Sequence, residues 1–246
     1  MSAHPRPPAP ALTARQEARR NRILAASTEL ACGGGFDAVQ MREVAELSDV
    51  ALGTLYRYFP SKIHLLVAVM EDQLGQLQTA LRTRPPSAPE PGRRVADTLL
   101  RAFRALQREP LIADAMFRAM IFADRSVRAQ VDTVSRLTTS IIVEAMGRPG
   151  VPGAPGAPGA PGAPGAGRTA TGAAEARGGE AGEPGAGASG TGAEDLPKAL
   201  RSTVRVIEHT WHAALVGWIS GRASVAEVTE DIRTACGLLD RAARAG

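Results

Sequence analysis

Apolar and small residues recur every three or four positions through most of the chain, and this spacing predicts helices. The first helix begins at residues 13–16 (TARQ), which fit a capping box: the Thr13 hydroxyl and the Gln16 amide satisfy free backbone N–H groups reciprocally. Its inward face carries Ile23, Ser27, Leu30 and Ala31. The glycine triplet at 33–35 is expected to stop this helix, and residues 36–40 to connect it to the next.

Two short helices come next, at residues 41–47 and 51–59, with a turn at residues 48–50 between them. Val44 and Leu47 are expected to point inward from the first of the two. Asp49 suits the turn because aspartate is one of the few residues besides glycine that tolerate a left-handed backbone. Pro60 or Ser61 marks the next break, and a longer helix is predicted from residue 63 to about residue 81.

Further helical patterns follow a linker at residues 84–92 and occupy residues 93–107, 111–122 and 126–146. A helix at residues 196–220 then carries one apolar stripe, and Ser224 caps a last helix that carries another. The stripes consist of Leu200, Val204, Ile207, Trp211, Leu215 and Trp218, and of Val225, Val228, Ile232, Ala235 and Leu239. They are either ordinary core, or core plus a subunit interface. No alternating strand pattern of useful length occurs, so the chain is predicted to be all-α.

Composition separates two segments from these helices. Residues 1–11 are rich in proline and are expected to form a disordered tail. Residues 148–195 contain no aromatic side chain, and six prolines recur there at every third position, each followed by glycine. Six such triplets are too few for a stable collagen helix, so this segment is predicted to be a disordered, partly extended insertion.

Charge is concentrated near the start of the chain. The formal net charge is only +4, but the first 22 residues hold Arg6, Arg15, Arg19, Arg20 and Arg22 against the single acid Glu17. A run of charge is usually a solvated face, and it can equally be an arm that binds phosphate. The composition leaves both interpretations open.

Other chemistry finds little support in the residues. Cys32 and Cys236 are far apart and lack a CxxC partner, so two free thiols are expected. His209 and His212 have a spacing that could hold a metal, but no third ligand follows, and no metal or cofactor is predicted. No nucleophile–base pair or phosphate loop is visible, so no catalytic residue and no enzyme activity are expected. With no leader and no long apolar run, a cytoplasmic, nucleoid-associated protein is expected.

The two short helices and their three-residue turn have the order of a helix-turn-helix, whose second helix enters the DNA major groove by its N-terminal end. Successive residues rotate by about 100°, which sorts residues 51–59 into two faces. The inward arc holds Ala51, Leu52, Leu55, Tyr58 and Phe59, and the outward face holds Gly53, Thr54, Tyr56 and Arg57. Leu52 is ambiguous, because it lies at the edge of the core arc and also at the groove end.

The outward residues have the chemistry of a groove reader. Gly53 lets the backbone approach DNA closely, and Thr54 offers a hydroxyl and a methyl to a phosphate or a thymine. The Tyr56 hydroxyl can bind phosphate, and Lys62 lies in the first turn of the following helix, where phosphate is also attracted. Arg42 is long enough to reach a guanine edge.

The stretch FDAVQMREVAELSDVALGTLYRYFPSKIHLL resembles the N-terminal domain of the TetR family of bacterial transcriptional regulators. The resemblance implies an all-α homodimer that binds a palindromic double-stranded DNA operator. It places a DNA-binding domain at residues 12–62 and a domain for effector binding and dimerisation at residues 63–147 and 196–242. It assigns DNA contacts to Arg42, Leu52, Gly53, Thr54, Tyr56 and Lys62. Gln40 and Ala51 depart from the family, which often has Thr or Ser at these helix caps.

The segments PLIADAMFRAMIFAD (110–124) and TWHAALVGWISGRASVAEV (210–228) resemble more narrowly the KstR-type repressors of cholesterol catabolism. This implies a small-molecule effector, a steroid-CoA thioester, that releases the protein from DNA. The alternative is a TetR-type regulator of another pathway, which senses a different acyl-CoA or apolar molecule. The candidate pocket residues, each of which could equally be core, are Phe103, Met116, Phe117, Met120, Trp211 and Trp218.

Overall fold

The computed structural model describes residues 13–147 and 196–244. The expected N-terminal tail and the expected insertion at residues 148–195 lie outside these ranges. The described residues form nine α-helices and no strand, which confirms the all-α prediction. The helices are α1 (Ala14–Ala38), α2 (Met41–Leu47), α3 (Leu52–Tyr58), α4 (Lys62–Thr83), α5 (Pro91–Arg108), α6 (Pro110–Ile121), α7 (Arg128–Met146), α8 (Lys198–Ile219) and α9 (Val225–Arg244).

The predicted helix caps are confirmed at both ends of the chain. Thr13 N–H donates to the Gln16 side chain at 2.8 Å, and Gln16 N–H donates back to the Thr13 hydroxyl at 3.4 Å. Ser224 and Glu227 repeat this exchange before α9, at 2.7 and 3.2 Å. Ser61, rather than Pro60, caps α4, because its hydroxyl accepts the N–H of His64. Local sequence therefore fixes where these helices start.

The end of α1 differs in part from the prediction. Gly34 and Gly35 do leave helical geometry, and Gly35 has a φ of 67°. A further turn nevertheless resumes and runs to Ala38, so residues 36–40 are not a simple connector. The glycines therefore end the first helical run as predicted, and the short helical turn beyond them contacts α6 through Phe36 and Asp37.

Helices α1 to α3 and the start of α4 enclose one part of a continuous hydrophobic core, and this part is called the small core. Ile23, Val44 and Leu55 are fully buried there. The prediction that Leu47 points inward was wrong, because Leu47 is 48% exposed and Ala45 is buried in its place. In a helix of two turns, the face that packs is chosen by the neighbouring α1 and α3 rather than by periodicity.

The remaining helices enclose the rest of this continuous core, and there α9 packs against α5 and α8. The predicted stripe of α8 is buried at its centre, at Val204, Ile207, Trp211 and Leu215, and half-buried at Leu200 and Trp218. On α9 the inward position assigned to Val225 was wrong, since this side chain is 46% exposed. Val225 is the first residue of α9 and lies before the part of the helix that is covered.

The start of α5 is joined tightly to α9. Gly92 N–H donates to the Asp240 carboxylate at 2.7 Å. A Cβ added at Gly92 would lie 2.6 Å from the second carboxylate oxygen and closer still to the backbone carbonyl of Cys236. Only glycine therefore allows these two helices to approach so closely.

We expect Gly92→Ala to lower the free energy of unfolding by about 1–3 kcal/mol, because the added methyl collides with the α9 backbone. Chemical denaturation measures the change. Gly75→Ala is the matched control: nothing lies within 4 Å of its added Cβ, so it should stabilise α4 by roughly 0.5–1 kcal/mol. Equal effects of the two substitutions would contradict the close approach at Gly92.

Candidate DNA-binding interface and effector cavity

The turn between α2 and α3 is held by its own hydrogen bonds. Asp49 adopts a φ of 53°, as its left-handed position in the sequence predicts. Val50 N–H then donates to the carbonyl of Ala45 at 3.0 Å, and the Ser48 hydroxyl donates to the carbonyl of Val44 at 2.6 Å. These bonds close the end of α2 and direct the chain into α3, which is the geometry of a helix-turn-helix.

Helix α3 buries most of the face that its helical angles predict, but Ala51, which was assigned to the inward arc, is exposed, because it lies before the helix begins. Leu55 and Phe59 are buried, and Leu52 and Tyr58 are half-buried. Tyr58 also donates its hydroxyl to the carbonyl of Gln16 in the first turns of α1, at 3.4 Å. The aromatic residues of this segment therefore divide by their angle around the helix. Tyr58 and Phe59 anchor α3 to its neighbours, whereas Tyr56 is exposed.

The opposite face of α3 is open to solvent. Gly53, Tyr56 and Arg57 are exposed, with Tyr56 at 46%, and Thr54 is half-buried. Arg42 on α2 is exposed as well. The two positions at which this chain departs from the family pattern, before α2 and before α3, make no side-chain cap hydrogen bond. The outward residues have the accessibility that DNA contact requires, and their contact with DNA stays a prediction.

Lys62, the sixth predicted DNA residue, differs from the others because its side chain contacts an aromatic ring within the protein. Its ammonium lies 4.1 Å from the centre of the Phe36 ring, a cation–π contact. Partial burial lowers the pKa of Lys62 below its ordinary value, the nearby Asp37 carboxylate opposes this shift, and Arg118 adds to it. The side chain is thus held at the junction between the small core and α6.

Arg118 completes this junction from α6. Its guanidinium lies 4.8 Å from the centre of the Phe36 ring and 3.2 Å from the Asp37 carboxylate. Sequence reasoning missed this cluster, because residues 36 and 37 were expected to lie in a connector. The unusual signal was an aromatic residue directly after three glycines.

An apolar cavity of about 370 Å³ lies between α4, α5, α6 and α8. Three of the six predicted pocket residues line it, namely Met116, Phe117 and Trp211. The other three, Phe103, Met120 and Trp218, are not among its lining residues; Phe103 is instead buried and packs edge-on against Trp218, with ring centres 5.2 Å apart. The lining that the sequence did not indicate comes mainly from α4, at Met70, Leu74 and Leu77.

His209 and His212 lie beside a polar depression with Glu208 on α8. His212 Nδ1 is 2.8 Å from the Glu208 backbone carbonyl, and the Glu208 carboxylate accepts a hydrogen bond from Thr139. Within residues 13–147 and 196–244, no group of three or more His, Cys, Asp or Glu side chains is placed to hold a metal ion. Across the same ranges, no helix has the length and apolar character needed to cross a membrane.

A helix-turn-helix joined through one long helix to a larger helical unit with an apolar cavity defines a class of regulatory proteins. The model for bacterial regulatory proteins of the tetR family matches residues 23–69, and the tetracyclin repressor-like C-terminal domain matches residues 89–154 and 165–239. The chain belongs to the TetR family.

Among curated proteins, the chain is 47% identical over 131 residues to the HTH-type transcriptional repressor KstR of Rhodococcus jostii (strain RHA1), covering 53% of this chain and 61% of the relative. It is 44% identical over 131 residues to KstR of Mycobacterium tuberculosis (strain ATCC 25618 / H37Rv), with coverages of 53% and 60%. The chain thus spans about three fifths of the length of these relatives. It is a TetR regulator that resembles KstR repressors.

Among solved structures, a TetR transcriptional regulator from Rhodococcus sp. RHA1 superposes with a TM-score of 0.66 at 29% identity, covering 92% of this chain and 97% of that one. The regulator FadR from Bacillus subtilis, solved in complex with stearoyl-CoA, gives a TM-score of 0.53 at 14% identity, with coverages of 90% and 98%. The second likeness is one of fold.

Proposed function

We propose that this protein is a homodimeric transcriptional repressor that leaves its DNA operator when a sterol-derived acyl-CoA thioester binds the larger helical unit. The carrying observation is that one helix, α4, connects the predicted DNA-binding residues to the apolar cavity. Helix α4 begins at Lys62, shortly after α3 ends at Tyr58. Its later turns line the apolar cavity through Met70, Leu74 and Leu77. A ligand that moves α4 would therefore also move the helix-turn-helix.

The cavity supports an apolar effector. Its walls are mostly aliphatic, aromatic and thioether side chains, with Gln73 and Gln76 the polar exceptions, and about 370 Å³ is within the range of small-molecule sites. The KstR name of the relatives favours a sterol-derived thioester. An acyl chain of another kind would find the same apolar walls, so a different acyl-CoA or apolar molecule is the second candidate.

Release of DNA needs a difference in affinity. The effector must bind the conformation that cannot fit the operator more tightly than the one that can, otherwise the equilibrium does not move. In the proposed mechanism the two helix-turn-helix units of a dimer occupy successive major-groove faces of a palindrome. Ligand binding changes the distance between these two units.

The decisive experiment is a competition assay. The protein is bound to a fluorescent operator duplex, and a panel of steroid-CoA, fatty acyl-CoA and free CoA compounds is added while anisotropy is followed. Release by steroid-CoA alone would support the sterol effector, and release by fatty acyl-CoA alone would favour the second candidate. A footprint without two-fold symmetry, or a monomer at the concentration that binds operator, would contradict the dimer.

Tyr56→Phe tests the phosphate contact assigned to the exposed Tyr56. We expect a loss of operator affinity of about 1 kcal/mol, roughly fivefold, since one hydrogen bond is removed and the ring is kept. The loss should be similar for operators of different sequence, because a phosphate contact carries no base information. A change in sequence preference would instead show that Tyr56 reads bases.

Arg118→Met tests whether α6 transmits ligand binding. Met116 and Phe117 line the cavity, and the next residue, Arg118, contacts Asp37 and Phe36 beside Lys62. We expect the variant to bind operator and effector separately but to lose most of the coupling between them, which in such proteins is about 1–3 kcal/mol. Operator affinity is measured with and without saturating effector.

Arg128→Met is the matched control for this substitution. Arg128 is also on a helix and also pairs with a carboxylate, that of Asp132 at 3.8 Å, but this pair lies within α7 and joins no second helix. The control should release DNA as the unaltered protein does. Full release in the Arg118 variant as well would exclude the Phe36 junction as the coupling route.

A further inference from the structure

Three arginines at the start of α1 lie on one face of the helix. At about 100° for each residue, Arg15, Arg19 and Arg22 fall within an arc of about 60°. Arg15 and Arg22 are exposed and Arg19 is half-buried. Arg20 points about 100° away from Arg19, so the basic run of the sequence divides into two sets.

Arg20 is occupied by contacts within the protein. Its guanidinium lies 3.8 Å from the Glu71 carboxylate on α4 and 6.0 Å from the centre of the Phe59 ring. Arg20 therefore links α1 to α4 and to Phe59, which directly follows α3. Its charge is matched inside the fold.

The other three arginines have unmatched charge. Within residues 13–147 and 196–244, no carboxylate forms an ion pair with Arg15, Arg19 or Arg22. Arg22 donates from Nε to the backbone carbonyl of Ser48 at 3.4 Å, and this contact neutralises no charge. Three guanidinium groups in a narrow arc repel one another, and a polyanion relieves that repulsion.

The fold places this basic face beside the DNA-reading helix. The Ser48 carbonyl that Arg22 contacts belongs to the turn of the helix-turn-helix. About two turns earlier in α1, the backbone carbonyl of Gln16 accepts a hydrogen bond from the hydroxyl of Tyr58, the last residue of α3. The start of α1 therefore contacts both the turn before α3 and the last residue of α3, in the same helix-turn-helix that presents Tyr56 and Thr54.

We propose that Arg15, Arg19 and Arg22 bind the phosphate backbone of duplex DNA next to the half-site read by α3, as a second contact separate from the helix-turn-helix. The proposal rests on the DNA-binding function proposed above. Because phosphate contacts carry no base information, this face adds affinity and salt dependence to every sequence, operator or not.

The experiment measures the salt dependence of DNA binding by the full-length protein. The probes are a 30-bp duplex (about three helical turns) selected by the protein from a random pool, and a duplex of the same length with shuffled sequence. The test variant is the double substitution Arg15→Gln and Arg19→Gln, which spares the Arg22 contact with Ser48. Arg93→Gln is the control, since Arg93 is equally exposed but lies on α5, which packs mainly on α7 and α9.

We expect the slope of log affinity against log salt to fall by about 0.9 for each arginine, about 1.8 in total, on both duplexes. Between about 50 and 200 mM salt the double variant should then lose roughly 12-fold less affinity than the unaltered protein does. The preference for the selected duplex over the shuffled one should stay within about twofold, because base readout is untouched. Circular dichroism and thermal unfolding check that α1 is intact.

The experiment distinguishes a failure of the second DNA contact from a failure of the proposed DNA-binding function. If the unaltered protein binds DNA and the double variant keeps its affinity and its slope, the second contact is overturned and the proposed function stands. If the unaltered protein binds neither duplex, the proposed function falls and this proposal falls with it. A slope change of about 0.9 in Arg93→Gln, as large as that expected for each arginine of the double variant, would also overturn the proposal, because the effect would then come from net charge alone.

Discussion

Gly53→Leu should weaken operator binding by roughly 5- to 150-fold while leaving the protein as stable as before, or more stable. No heavy atom lies within 4 Å of a Cβ added at Gly53, and the residue is exposed in the first turn of α3. Leucine is a better helix former than glycine by roughly 0.8 kcal/mol, so the free protein gains. If the backbone approaches DNA closely at Gly53, the added side chain collides with the duplex and costs about 1–3 kcal/mol of affinity, roughly 5- to 150-fold.

Both quantities are measured on one protein preparation, by thermal unfolding and by operator anisotropy. Gly75→Leu is the control, because Gly75 is also a helical glycine with nothing within 4 Å of an added Cβ, but it lies on α4. Its operator affinity should match that of the unaltered protein. Normal DNA binding by Gly53→Leu would mean that the start of α3 does not enter the groove.

Phe103→Ala is expected to destabilise the protein by about 3–5 kcal/mol, the cost of removing a fully buried aromatic ring. Phe103 is 1% exposed and packs edge-on against Trp218, an aromatic geometry worth roughly 0.5–1.5 kcal/mol beyond its buried area. Since Phe103 does not line the cavity, the loss should appear in denaturation without any effector present.

Phe117→Leu provides the contrast from a residue that does line the cavity. Leucine keeps most of the buried volume, so we expect a stability cost below about 1.5 kcal/mol. The effector concentration needed for DNA release should change instead, because the wall of the cavity has a new shape. An unchanged effector concentration in Phe117→Leu would place the effector site elsewhere, and an unchanged stability in Phe103→Ala would contradict the burial of its ring.

Several features of this protein follow from sequence alone, because they depend on residues close together in the chain. The caps at Thr13 and Ser224 pair with side chains three positions onward, and the left-handed turn at Asp49 is set by one residue type. The two faces of α3 follow from the rotation per residue. The fold class and the family resemblance rest on such local patterns, and both are confirmed.

The burial of Ala45 rather than Leu47 was decided only by the tertiary structure, because a two-turn helix offers two plausible faces and its neighbours choose between them. The same holds for the cavity, whose α4 wall is apolar in sequence like any core helix. The Phe36, Lys62 and Arg118 cluster joins three separate helices, and no local pattern encodes it. Periodicity fixes the angle of a side chain on its own helix, whereas only packing fixes what that side chain meets.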